Sequence, residues 1–229
     1  MRVLCFGDSN TYGTCRRVPG VEGTSTPDPD YVRLNADRRW PGVLQRVLGT
    51  GYEVIEEGLN GRTTDLDDPG RPGLDGRSYF VPCLLSQRPL DVVVIMLGGN
   101  DLKPDYGRDP QEIAEALGRY VDDVTAYATD RDGGVPVTVL VGPTRVDDTA
   151  PEYHDLVGDN LDPQHAARSR QLAEELHRVA LRRGVAYASA AQVARPGGDG
   201  IHLDMASHSR LGELLAATIL TQASRSPSA

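Results

Sequence analysis

Cysteine is scarce in this 229-residue chain: only Cys5, Cys15 and Cys83 occur. No Cys-x-x-Cys pair exists among them, so thiolate zinc sites and thioredoxin-type redox chemistry are excluded. The three read as free thiols of a reducing compartment, with Cys5 a small core residue inside an apolar run. Long apolar runs are missing too. None approaches the ~18 residues that a membrane-spanning helix needs, and no secretory leader precedes Val3. The expected location is cytoplasmic, with no membrane partner. Positive charge is in deficit: 24 Lys and Arg against 33 Asp and Glu leave a net charge of -9. That charge repels nucleic acid and anionic surfaces, so neither is an expected partner. No Gly-x-Gly-x-x-Gly follows the first apolar run, which removes a dinucleotide-binding site. Neither Asp-x-His nor Gly-His-x-His spacing occurs, which argues against a metallophosphoesterase. No metal or organic cofactor is expected.

What is present is an alternation of short apolar runs and amphipathic stretches. Residues 3–6, 52–56, 91–97, 135–141 and 185–188 read as strands, the third being the clearest. Residues 40–48, 79–87, 110–129, 163–183 and 205–222 read as helices. Pro41 suits the first turn of the first helix, and Val43, Leu44, Val47 and Leu48 form its apolar stripe. Residues 14–39 and 144–162 read as long polar loops. The pattern predicts an α/β protein: a three-layer, doubly wound, parallel five-stranded sheet of flavodoxin-like layout. Residues 1–223 are expected to form one domain, and 224–229 a frayed tail. In such sheets functional groups collect beyond the carboxyl ends of the strands.

The first strand runs into Gly7-Asp8-Ser9-Asn10. A serine there can be a nucleophile, provided a base takes its proton. Taken alone, it is more often a helix N-cap. The candidate bases are His154, His165, His177, His202 and His208. His165 and His177 lie in a predicted helix and are expected to face solvent. His154 lies in the second long loop and could line a pocket. His202 stands apart because Asp199 precedes it by three residues between two glycines. Such an Asp could accept the imidazole Nδ1–H and leave Nε2 free for Ser9. For a developing oxyanion the candidate donors are the Ser9 amide, Gly61 and Asn100, all just after strands. Each has a plainer reading as a turn or cap residue.

The motifs Gly7-Asp8-Ser9, Gly58-Leu59-Asn60-Gly61, Gly98-Gly99-Asn100-Asp101 and Asp199-Gly200-Ile201-His202 resemble, in this order, the four blocks of the SGNH (GDSL-type) hydrolases. They look closest to the bacterial arylesterase/acyltransferase branch. The resemblance implies Ser9 as nucleophile, His202 as base and Asp199 as its orienter. It implies an oxyanion hole of Ser9, Gly61 and Asn100, no cofactor, and a homo-oligomer as plausible. Asn10 replaces the leucine of the name-giving motif, and Gly99 stands where Thr is common. The substrate-pocket candidates are Asp8, Asn10, Trp40, Asn60, Arg62 and His154. The expected reaction is hydrolysis of a small-molecule ester, with a short acyl or aryl group, through an acyl-enzyme. Acyl transfer to alcohols, O-deacetylation of a carbohydrate or small metabolite, and a non-catalytic binding module stand as alternatives.

Overall fold

The computed structural model describes residues 1–68, 70–154 and 164–224. The chain begins with β1 (Arg2–Gly7), α1 (Ser9–Tyr12), β2 (Thr14–Arg16), β3 (Gly23–Ser25), β4 (Tyr31–Leu34) and α2 (Trp40–Leu48). It continues with β5 (Glu53–Gly58), α3 (Gly76–Gln87), β6 (Val92–Met96), α4 (Pro110–Tyr127) and β7 (Val137–Gly142). It ends with α5 (His165–Arg183), β8 (Ala186–Ser189) and α6 (Met205–Ala223).

Side chains along β1 alternate between two cores: Leu4 and Phe6 enter one, Val3 and Cys5 the other. β6 does the same, with Val93 and Ile95 on one side and Val92, Val94 and Met96 on the other. A strand apolar on both faces belongs in the middle of a sheet covered on both sides. The five strands accordingly pair in parallel in the order β5-β1-β6-β7-β8. Phe80 of α3, Leu117 of α4 and Leu172 of α5 close one core. Trp40 and Leu44 of α2 and Leu211 of α6 close the other. This is the three-layer doubly wound architecture that the alternation predicts. β1 has β5 on one side and β6 on the other, so the winding reverses between β1 and β6. The crevice beyond their carboxyl ends is the ligand position of such sheets.

Residues 14–39 depart from the predicted loop. They carry a three-stranded antiparallel sheet in the order β2-β4-β3, around a small core of Cys15, Val32 and Leu34. Strands of three or four residues, one of them wholly exposed, leave no periodicity to read. Helix α3 starts three residues earlier than predicted, because the Asp75 carboxylate accepts the N–H groups of Arg77 and Ser78 and caps it. His165, expected to face solvent, is 3% exposed. The expected loop is described only to residue 154. The expected start of the fourth helix at 163 and the tail beyond Ser224 lie outside the described residues. Among the described residues, no helix is long and apolar enough to cross a membrane. All three cysteines are buried and free.

Candidate active site

Ser9 is positioned by its neighbours. Gly7 ends β1 where a Cβ would sit 2.0 Å from Thr11 Oγ1 and 2.7 Å from the Met96 carbonyl, so only glycine fits the turn. Asp8 accepts the Asn10 N–H at 2.9 Å and caps α1. The capping function therefore falls on Asp8, and the Ser9 hydroxyl, in the first turn, is spared it. Burial pushes the Asp8 carboxyl up to about 6, against the opposing effect of its bond from Asn10.

His202 arrives from the loop before α6. Asp199 folds that loop onto itself: its Oδ1 accepts the N–H groups of Ile201 and His202, each at 2.9 Å. Its Oδ2 lies 2.6 Å from His202 Nδ1, and His202 Nε2 lies 3.0 Å from Ser9 Oγ. The turn requires Gly200, whose φ is +73° and where a Cβ would fall 2.2 Å from the Asp147 carbonyl. The side-chain carbonyl of Asn10 accepts the Leu203 N–H at 2.9 Å, bolting the Ser9 turn to the histidine loop. Asp199 is 1% exposed. Burial alone pushes its carboxyl up, but the bonds from the His202 ring and the two backbone N–H groups outweigh it and hold it below the usual range. It therefore stays anionic beside the imidazole.

The sequence carried no sign of one further contact. Tyr31, from β4, donates its hydroxyl to Asp199 Oδ2 at 3.1 Å and stands edge-on to the His202 ring, centroids 5.3 Å apart. Arg16 lies over the Tyr31 ring and pairs with Glu152 at 2.6 Å. The small sheet thus braces the buried carboxylate from 168 residues away.

Asn100 follows β6 and donates from Nδ2 to the Arg62 carbonyl at 3.1 Å. Gly61, with φ +81°, is the residue before Arg62 and lies off the cavity wall. Asp101 is fully buried and accepts both the Thr64 N–H (3.0 Å) and the Thr64 hydroxyl (2.5 Å). It clamps the loop after β5 to the loop after β6, which holds Gly61 and Asn100 in register.

Ser9, His202 and Asn100 line one cavity of about 260 Å³, with Asp8 and Asn10 on its wall. Met96, Leu97, Leu102, Pro143, Val146 and Ile201 are the apolar residues of its lining. Four pocket candidates lie elsewhere. Trp40 is fully buried in the second core, and its backbone N–H donates to His208 Nδ1 at 3.2 Å. Burial pushes the His208 imidazole down to about 3, so it stays a neutral acceptor there. Asn60 accepts the Thr14 hydroxyl at 2.8 Å and ties β2 to its loop. The Arg62 guanidinium is buried against Phe6, its centre 4.2 Å from the ring centroid, and donates to the Gly7 carbonyl at 2.8 Å. His154 is exposed, edge-on to Tyr153. In exchange, Tyr31, Lys103, Thr144 and His165 line the cavity. Among the described residues, no cluster of three His, Cys, Asp or Glu side chains is placed to hold a metal.

An imidazole that can take a proton from a serine, while a buried carboxylate steadies the charge that results, is the working arrangement of a serine hydrolase. A doubly wound sheet carries that arrangement here. The chain belongs to the GDSL-like lipase/acylhydrolase family, whose model matches residues 5–210, and it is a carboxylic ester hydrolase. An aryl esterase of M. smegmatis is 35% identical, with a TM-score of 0.81 over 96% of this chain and 98% of that one. Est24, a carbohydrate acetylesterase from Sinorhizobium meliloti, is 34% identical, with a TM-score of 0.80 over 96% and 99%. A putative arylesterase from Agrobacterium tumefaciens is 30% identical, with a TM-score of 0.77 over 96% and 98%. Among curated proteins none matches the chain.

Proposed function

We propose that the chain cleaves esters of short carboxylic acids with small alcohols or phenols through an acyl-enzyme on Ser9. The observation that carries this reading is the continuous run from Asp199 Oδ2 to His202 Nδ1 (2.6 Å) and from His202 Nε2 to Ser9 Oγ (3.0 Å), opening into the cavity. Ser9 Oγ attacks the ester carbonyl as its proton passes to His202 Nε2. The carbonyl oxygen takes up the electron pair and is met by the Ser9 amide and the Asn100 side chain, which line the cavity, whereas Gly61 lies off its wall. Collapse of that intermediate expels the alcohol, which leaves with the proton from His202. Water, deprotonated by His202, then attacks the acyl-serine, and the acid departs as Ser9 regains its proton. Asp199 steadies the imidazolium in both halves, and Tyr31 holds Asp199.

A cavity of about 260 Å³ falls just below the roughly 300–1,000 Å³ of pockets for drug-sized ligands. That supports a small ester rather than a long-chain lipid. A second reading, O-deacetylation of a carbohydrate, is favoured by the likeness to the S. meliloti acetylesterase. The two differ in the alcohol that leaves, and an alcohol that replaces water in the second half gives acyl transfer. The test is p-nitrophenyl acetate turnover beside labelling by a fluorophosphonate. Ser9→Ala is expected to lose label and at least ~10³-fold in kcat. A labelled Ser9→Ala protein, or one that keeps wild-type turnover, removes Ser9 as nucleophile. Release of acetate from acetylated sugars, set against phenyl acetate, separates the two alcohols.

A further inference from the structure

Of the 24 lysines and arginines in the chain, a single one, Lys103, is a lysine. It lines the cavity that holds Ser9 and His202. Its backbone closes the turn begun by Asn100, with the Lys103 N–H donating to the Asn100 carbonyl at 3.2 Å. One short turn thus carries both the Asn100 amide and the Lys103 ammonium.

The arginines around the site are occupied. Arg16 is paired with Glu152, Arg71 with Asp68 at 3.0 Å, and Arg108 with Asp65. The Lys103 ammonium has neither a hydrogen bond nor an ion pair among the described residues. The charges that act on it from further away are Arg71, Asp68, Asp8 and Asp105. Burial pushes its pKa down, Arg71 adds to that, and the three carboxylates oppose it. The Asp8 carboxylate is engaged with the Asn10 N–H, and Asp68 with Arg71. The half-buried ammonium has no protein acceptor among the described residues, so its N–H donors are open to a ligand in the cavity. The apolar wall beside it, Leu97, Leu102 and Val146 included, has side chains with no acceptor to offer.

We propose that Lys103 forms an anion-binding subsite of this cavity and selects esters whose acyl chain ends in a carboxylate, the monoesters of short dicarboxylic acids. This deepens the reading that Ser9 is acylated here. The acyl side is assigned because Asn100, one turn away, meets the carbonyl oxygen, whereas His202 serves the departing alcohol. The carboxylate completes the donor set of the ammonium by a charge-assisted hydrogen bond, which a neutral chain of equal length cannot do.

The experiment compares kcat/KM for monoethyl glutarate and ethyl pentanoate in the wild type, Lys103→Met and Lys103→Arg. The wild type is expected to favour the anionic ester by about tenfold or more, carried mainly in KM, the scale of a hydrogen bond to a charged group. Lys103→Met is expected to lose that preference, and Lys103→Arg to keep most of it. A wild type that prefers ethyl pentanoate, or a preference that survives in Lys103→Met, overturns the subsite. So does a stronger preference for an ester with its carboxylate on the alcohol. Calorimetric titration of monoethyl glutarate into Ser9→Ala reads the subsite without turnover. Binding there, lost in Ser9→Ala/Lys103→Met, supports it; binding indifferent to residue 103 refutes it. Failure of the acylation reading would show separately, as a wild type that resists fluorophosphonate and turns over neither ester.

Discussion

Replacing Asp8 by asparagine should stabilise the protein at neutral pH, and the reason lies in its burial. The residue is 6% exposed, and its carboxyl is raised from 3.8 to about 6. A carboxyl raised by folding makes the folded state bind more protons than the unfolded state between these two values. Its contribution to stability is therefore fully present below about pH 4 and is lost as pH rises through about 6. A shift of about two units, at 1.36 kcal/mol each, puts the cost of ionised Asp8 at about 3 kcal/mol above pH 7. Asparagine keeps a side-chain carbonyl to accept the Asn10 N–H, so the α1 cap survives, and it removes the charge. Chemical denaturation of wild type and Asp8→Asn at pH 8 and at pH 4.5 measures the difference. The variant should be the more stable by about 3 kcal/mol at pH 8 and by about 1 kcal/mol at pH 4.5. A variant advantage equal at both pH values would refute the reasoning, as would destabilisation at pH 8. Either result would mean that Asp8 ionises in the fold without cost, and that its role in the turn depends on its charge.

Two further outcomes test the site itself. Asn100→Ala should lower kcat by ~10²–10³ if its amide meets the oxyanion; steady-state kinetics giving a near-normal rate would leave Asn100 only as the tie to the Arg62 carbonyl. Tyr31→Phe removes one donor from Asp199 and leaves the other three in place. Part of a hydrogen bond to a charged group, about 1–2 kcal/mol, should be lost from transition-state stabilisation, and kcat/KM should fall roughly tenfold with unfolding cooperativity intact. An unchanged pH–rate profile together with an unchanged rate would remove Tyr31 as a positioning residue.

Much of the chemistry was legible along the chain because it is local. Residues 3–6, which lead into the serine turn, are apolar at every position, and such a run belongs in the centre of a covered sheet. Asp199 and His202 are close in sequence, and the glycine between them permits the turn that joins their side chains. The pocket candidates fared less evenly. Trp40 and Arg62 sit beside loops that reach the site, yet one fills a core and the other supports the end of β1. Neighbours in sequence to a functional loop can face away from it, and periodicity over a few loop residues does not say which will.

Local pattern accordingly determined the order of the five central strands and the five long helices, the serine turn and the Asp-x-x-His loop, since each depends on contacts within a few residues. Tertiary structure alone decided the rest. It brought Tyr31 to Asp199 across 168 residues and Asn10 to Leu203 across 193. It buried His165 and turned Lys103 into the cavity. These are long-range contacts between short, irregular segments. Their geometry is set by how the layers pack around the sheet, and no repeat of side chains along the chain records it.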